Sequence, residues 1–454
     1  MKIVIAGGGK VGYTLSKQLT QEGHDLVLID VKEQVLRDTQ EHLDVAVVFG
    51  NAASMDVQID AGVRECDILI AATSSDELNM LSCLVARKLG CGHTIARVRN
   101  PDYDNQIGAL KEELGLSMAI NPEKACAREI FRLLQFPSFL KRDSFAKGLV
   151  ELVELPLKEG NALIGHKLSE MGELGFTKVS MLICAVERDG EVSIPSGSFL
   201  LQEGDRVTFA AGATELVKLL RMLHVPMQAV QSAMIVGGGR ISEYLATLLI
   251  KAKVQVTIVE EKLKRCEELT ETLTNAMIIH GNGTSQELLL SEGINKTSAL
   301  ITLTGIDEEN LIISMFGNFV GVPKTITKIN RTEYSAVFAD KGIDTIVSPK
   351  ILTADEIVSY VRAIGNTTGG SVVTLYRIVE GKAEAMEFFI RSNAPYLKIP
   401  LSDLQIKKNI LIACIIRNRR IIIPKGNDYM QQGDTVVVVT KDHAILDLKD
   451  IFAD

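Results

Sequence analysis

The opening stretch KIVIAGGGKVG returns later in the chain as AMIVGGGRIS, with Gly7 and Gly237 230 positions apart. Three further motifs come back at almost the same distance. VLID ending at Asp30 is matched by TIVE ending at Glu260, and ILIAATSSDELNML around Asp76 by ALITLTGIDEENLI around Asp307. LLQEGDRVTFAAG around Asp205 is matched by YMQQGDTVVVVTK around Asp434. A near-constant offset across four unrelated motifs marks one unit duplicated in tandem. Whatever the unit folds into, the chain builds it twice.

Each unit divides in turn. The apolar runs KIVIA, DLVLID, DVAVVFG, DILIAAT and HTIARVR alternate with amphipathic stretches that follow Gly12, Glu33, Met55, Leu78 and Asp104. That alternation predicts a doubly wound parallel sheet, an α/β Rossmann-like domain. A helix from about Pro122 to Leu134 leads onward. Beyond it LVELVELPL, VSMLICAVERDGEVSIP and DRVTFAAG, followed by the helix ATELVKLLRML, predict a small α+β module. The second copy repeats the plan, with a linking helix at about 350–364 and β-rich sequence from Ser371 onward. The expected domains are therefore 1–135 and 229–365, Rossmann-like, and 136–228 and 366–454, small modules.

Composition narrows the function. At 46% hydrophobic and 23% charged, the chain is ordinary for a globular protein. Its net charge of −8, without basic runs interleaved with aromatics, gives no reason to expect nucleic acid. The longest apolar runs, such as ILIACII at 410–416, fall far short of the roughly 18–20 residues of a membrane span, and the start of the chain does not read as a signal peptide. Seven scattered cysteines without a C-x-x-C pair suit reduced thiols, read as small apolar core residues, better than a disulfide scaffold.

The glycine turn carries the chemistry. Gly7-x-Gly9-x-x-Gly12 lies directly between a strand and a helix, the setting that makes this pattern a dinucleotide-binding fingerprint. Gly7 permits the tight turn, Gly9 admits a pyrophosphate, and Gly12 allows close packing of helix on strand. The helix N-terminus adds free N–H groups and partial positive charge. Gly7, Gly8, Gly9, Lys10, Val11 and Gly12 are thus candidate phosphate contacts. Asp30, 18 residues beyond Gly12, is placed to bond both ribose hydroxyls. Its charge disfavours a 2′-phosphate, so NAD or an adenosine phosphate is expected over NADP. In the second copy Gly237, Gly239, Arg240 and Ile241 stand in the matching turn and Glu260 in the acidic place, but Ser242 replaces the third glycine. That site reads equally as working or degenerate.

Tandem units of this kind resemble the regulators of potassium conductance, also called potassium-transport nucleotide-binding domains, over essentially the whole chain. The most specific matches are TSSDELN (Thr73, Asp76, Asn79) and TGIDEEN (Thr304, Asp307, Asn310). ARVRNPDY and TKINRTEY follow, with Arg97 and Lys328 at the basic position that in the family faces the nucleotide phosphates. One departure is Gly50-Asn51 and Gly281-Asn282, where the family often has Gly-Asp. The resemblance implies a cytoplasmic regulatory subunit, peripheral on the inner face of the membrane. Its expected ligands are NAD or NADH, with ATP or ADP as alternatives, and its expected partner is a membrane potassium-translocating subunit. It also implies a homo-oligomer, dimer or tetramer, in which nucleotide binding rearranges a ring of domains.

The competing class is an NAD-dependent oxidoreductase. Such an enzyme needs an acid or base near the nicotinamide, yet the histidines are spread thinly and His280 has Phe49 as its first-copy counterpart. Cys91-Gly-His93 offers only two ligands and makes no metal site. A ligand-free scaffold would leave the complete Gly7–Gly12 fingerprint without a purpose. The expectation is a non-enzymatic sensor without a catalytic residue or metal.

Overall fold

A computed structural model describes residues 1–104, 106–136, 138–225, 230–331, 345–365, 372–379, 382–391, 393–441, 445 and 447–453. The end of TKINRTEY, from Thr332, and the expected β-rich start at Ser371 lie outside these residues.

The first sheet contains β1 (Lys2–Ala6), β2 (Asp25–Asp30), β3 (Ala46–Phe49), β4 (Ile68–Ala71), β5 (His93–Arg97) and β6 (Met118–Ile120), all parallel in the order β3-β2-β1-β4-β5-β6. The apolar runs form its middle: Ile3, Ile5, Leu28, Ile68 and Ile70 are buried. Because β1 is flanked by β2 on one side and β4 on the other, the strand order reverses at the end of β1, where the glycine turn begins. Open parallel sheets bind ligands at such a switch point.

The first small module contains β7 (Lys141–Phe145), β8 (Val150–Pro156), β9 (Met181–Arg188), β10 (Glu191–Ser193) and β11 (Arg206–Gly212), antiparallel in the order β10-β9-β11-β8-β7. The helix Ala213–Met222 buries Leu216, Leu219 and Leu220 against it. β7 is an addition to the sequence reading. KRDSF is too polar to announce a strand, yet it buries Asp143 and Phe145.

The second copy repeats both plans. β12 (Ser232–Val236), β13 (Gln255–Glu260), β14 (Ala276–His280), β15 (Ala299–Thr302), β16 (Thr325–Lys328) and β17 (Ile346–Val347) order as β14-β13-β12-β15-β16-β17. β18 (Val372–Ile378), β19 (Ala383–Phe389), β20 (Ile410–Arg417), β21 (Arg420–Ile422) and β22 (Thr435–Thr440) order as β18-β19-β22-β20-β21, the connectivity of the first module.

The chain groups like with like. One compact unit holds Met1–Phe131 and Gln231–Val361, and the other holds Arg132–Val230 and Arg362–Asp454. Within the first unit the linking helices reach across to the opposite copy. Gln18 on the first glycine-turn helix donates to Asp355 on the helix Pro349–Gly365 at 3.3 Å, and the His93 ring meets Tyr360 edge-on. Asn121, at the start of the helix Pro122–Gln135, donates to the Tyr244 hydroxyl at 3.2 Å. Within the second unit the two sheets share one core, in which Phe145, Leu152, Cys184 and Ala210 lie with Ala385, Cys414, Val437 and Val439. Among the described residues no helix is long and apolar enough to cross a membrane.

Candidate functional site

At two of the three glycines of the first turn a Cβ would run into backbone. Gly7 has φ +101°, and a Cβ there would lie 2.9 Å from the backbone of Thr73. A Cβ on Gly12 would lie 1.8 Å from the carbonyl oxygen of Gly7. Gly9 is different. It caps the helix Lys10–Gln21 in extended backbone, and a Cβ on it would meet nothing within 4 Å. The space beside Gly9, in front of the helix N-terminus, is therefore an open cradle where a phosphate can approach the backbone. Lys10 opens the helix at the surface, and Val11 is buried under it.

Asp30 braces this turn. One carboxylate oxygen accepts the Gly8 N–H at 2.7 Å and the other the Lys32 N–H at 2.9 Å. Each oxygen keeps a further lone pair for a ribose hydroxyl. Asn51, where the family often has Asp, accepts the Ala53 N–H at 3.0 Å and serves as a turn former.

The TSSDELN motif ties neighbouring strands together. Asn79 accepts the Thr73 N–H at 2.8 Å and donates to the Arg97 carbonyl at 2.8 Å, fixing the ends of β4 and β5. Asp76 accepts the N–H groups of Arg99 and Asn100 at 2.8 and 2.7 Å and pairs with the Arg99 guanidinium at 3.5 Å. Asp76 and Asn79 thereby set the backbone on which Thr73 and Arg97 stand. Arg97 donates to the Thr73 carbonyl at 2.8 Å, while its Nε is buried with no hydrogen-bond partner among the described residues. Burial, with Arg99 as a like charge, pushes its guanidinium below the ordinary value against the pull of Glu123 and Asp76. A partly buried cation at the end of the strand next to β4, tied to the Thr73 backbone that Gly7 packs on, suits an anion arriving at this edge of the sheet.

The second turn follows the same path. Gly237 has φ +98°, Gly239 also faces open space, and Glu260 accepts the Gly238 and Lys262 N–H groups at 2.6 and 2.8 Å. Arg240 and Ile241 open the helix Arg240–Lys251. Thr304 donates its N–H to Asn310 at 2.8 Å, and Asn310 donates to the Lys328 carbonyl at 3.0 Å. Asp307 accepts from Asn330 and Arg331 as Asp76 does from Arg99 and Asn100. Burial pushes Lys328 below the usual lysine range, with Cys126 and Asp307 opposing and Lys10 of the first turn adding like charge. Each basic position thus lies beside its own turn, and the two turns lie within electrostatic reach of each other.

Two differences separate the copies. The Ser242 hydroxyl donates to the Gly237 carbonyl, the oxygen that a Cβ on Gly12 would strike in the first copy. Arg265, where the first copy has Val35, donates from Nε to the Gly238 carbonyl at 2.8 Å and pairs with Glu243 at 2.6 Å and Glu268 at 3.0 Å. Glu243, where the first copy has Tyr13, lies in the first turn of the helix. This staple over the second turn escaped the fingerprint reading and is visible in the sequence only when the repeats are aligned residue by residue.

Residues 3–122 and 233–349 match the family described as the TrkA-N domain, and residues 152–224 and 385–453 match the TrkA-C domain. Over 452 residues, 100% of both chains, this protein is 33% identical to the Trk system potassium uptake protein TrkA homolog of Archaeoglobus fulgidus. The crystal structure of the GsuK RCK domain superimposes with a TM-score of 0.64 at 19% identity, over 96% of this chain and 92% of that one. The GsuK channel bound to NAD gives a TM-score of 0.63 at 19% identity, over 97% and 76%. Both likenesses concern the fold.

Proposed function

This chain belongs to the TrkA family of potassium-uptake proteins, and on that footing we propose that it is a non-catalytic regulatory subunit which senses an adenine nucleotide and gates a membrane potassium-translocating subunit of the TrkH-like kind. The observation that carries the reading is the first turn, with its open cradle at Gly9 and, at the end of β5, the partly buried Arg97 whose Nε has no hydrogen-bond partner among the described residues. NAD or NADH is the preferred ligand, with ATP or ADP as alternatives. Asp30 disfavours a 2′-phosphate, and the GsuK channel of like fold is described as bound to NAD.

A ligand shifts a conformational balance only by its unequal affinity for the two states. Here the charge delivered beside Arg97, and beside Lys328 where the second site is loaded, supplies that inequality. A homo-oligomer, dimer or tetramer, is supported by the helix Asp307–Phe319, whose face exposes Ile312 at 62%, Met315 at 39% and Phe319 at 87%. An apolar stripe at this spacing suits burial against another copy. The subunit then works at the inner face of the cell membrane.

The test is rubidium uptake in cells lacking this chain, complemented with the intact protein or with Gly9→Ala, together with NADH and ATP titration of both purified proteins. An alanine at Gly9 fits the backbone but fills the cradle, so binding weakens by roughly 30-fold, about 2 kcal/mol, with folding unchanged, and nucleotide control of uptake is lost. Uptake indifferent to deletion, in a strain without a redundant system, would sink the proposal.

A further inference from the structure

All seven cysteines are free and buried, and two of them stand together. β4 pairs with β5 from Ile68 opposite His93 onward, and Cys66 and Cys91 each stand two residues before that first pair. The His93 N–H donates to the Asp67 carbonyl at 2.9 Å, and the Gly92 N–H to the Cys66 carbonyl at 3.5 Å. Neighbouring strands run about 4.8 Å apart, inside the roughly 4.4–6.8 Å window of Cα separations that a disulfide spans. The two sulfurs are 3.1 Å apart, so little movement separates the thiol pair from a bond.

The duplication supplies an internal control. At the matching places of the second copy stand Thr297 and Val322, both buried. The fold does not need sulfur there, and the paired thiols belong to the first copy alone. Cys66 is the member of the pair nearer solvent. Cys66 lines a cavity of about 600 Å³, with Lys2, His24, Asp25 and Glu65, at the amino ends of the strands and so at the edge of the sheet opposite the glycine turn.

We propose that Cys66 and Cys91 form a redox modification site, converted by a small hydroperoxide into a reversible disulfide. Hydrogen peroxide entering the cavity transfers one oxygen to the Cys66 sulfur, giving a sulfenic acid and one water. The Cys91 sulfur then attacks Cys66, the S–S bond forms as the S–O bond breaks, and the departing hydroxide takes the Cys91 proton as a second water. Two thiols are oxidised and one peroxide is reduced. The bond fastens the amino ends of β4 and β5, whose carboxyl ends lead to Thr73 and Arg97. Resting on the proposed nucleotide site, the second part of the inference is that oxidation changes nucleotide affinity.

The full-length protein, treated with hydrogen peroxide, alkylated and digested, provides the test. Cys66 and Cys91 are expected to leave the alkylated pool together, as one linked peptide pair two hydrogens lighter than its thiol peptides, restored by dithiothreitol. The variant Cys66→Thr with Cys91→Val, which borrows the second copy's residues, folds and yields no such pair. Full alkylation of both residues, a Cys83–Cys91 link, or a sulfinic acid on either sulfur overturns the proposal. NADH titration before and after oxidation should differ by about fivefold or more, the lower end of coupling between sites, in the native chain and not in the variant. Equal affinities with the disulfide present overturn the coupling. Absence of NADH binding to the reduced protein overturns the nucleotide site and leaves the disulfide standing.

Discussion

The two glycine turns follow one backbone path with different side chains around it. In the first, Gly12 packs against the Gly7 carbonyl and Val35 lies beside Gly8. In the second, Ser242 bonds the equivalent carbonyl and a guanidinium lies over Gly238. What the copies share, the left-handed glycine and the carboxylate brace, is therefore what the turn needs in order to fold. What they do not share marks where the first turn stays open and the second is tied to its own side chains. The repeat thus shows, within a single molecule, which residues of the turn vary while its path is kept.

The largest effect should come from the shared part. Gly7→Ala and Gly237→Ala each force a Cβ to within 2.9 Å of backbone at positive φ and should each cost about 1–3 kcal/mol. Differential scanning calorimetry should find the two midpoints lowered alike, and a large disparity would break the claim of a common path. Ser242→Gly removes a hydrogen bond and places glycine inside a helix, a loss of about 1 kcal/mol, read by the same scan. An unmoved midpoint would show that the serine bond is no replacement for the missing glycine contact. The smallest effect on stability, under about 1 kcal/mol for partly exposed pairs, is expected of Arg265→Val with Glu243→Tyr, which transfers the first copy's residues. That variant should bind a second nucleotide per chain by titration calorimetry. Unchanged stoichiometry would locate the difference between the turns elsewhere than in the staple.

Much of this was open to reading. Strand and helix periodicity around Gly7 and Gly237 specifies the parallel sheets, because buried strands there are continuous apolar runs. β7 escaped because an edge strand such as KRDSF meets the core with only alternate residues. At the turn, the path through Gly7 and Gly12 was legible from spacing. The bonds from Gly8 and Lys32 to Asp30, from Thr73 to Asn79, and from Asn79 to the Arg97 carbonyl were not, since side-chain direction is decided by tertiary contacts. The gathering of like domains into common units was equally hidden, because it rests on pairs such as Asn121–Tyr244 and Phe145–Tyr376 that are more than a hundred residues apart.

That gathering has a consequence during synthesis. When the first copy leaves the ribosome, Asn121 lacks Tyr244, Gln18 lacks Asp355, and the Phe145–Cys184 face of the first module lacks the sheet that will cover it. Tyr244 follows Asn121 by 123 residues and Asp355 follows Gln18 by 337, which at about 5–20 residues per second is a delay of roughly 6–70 s. For that interval the nascent half-chain carries an uncovered apolar surface shaped to accept its own second copy. Until then that surface is open to any other apolar face it meets.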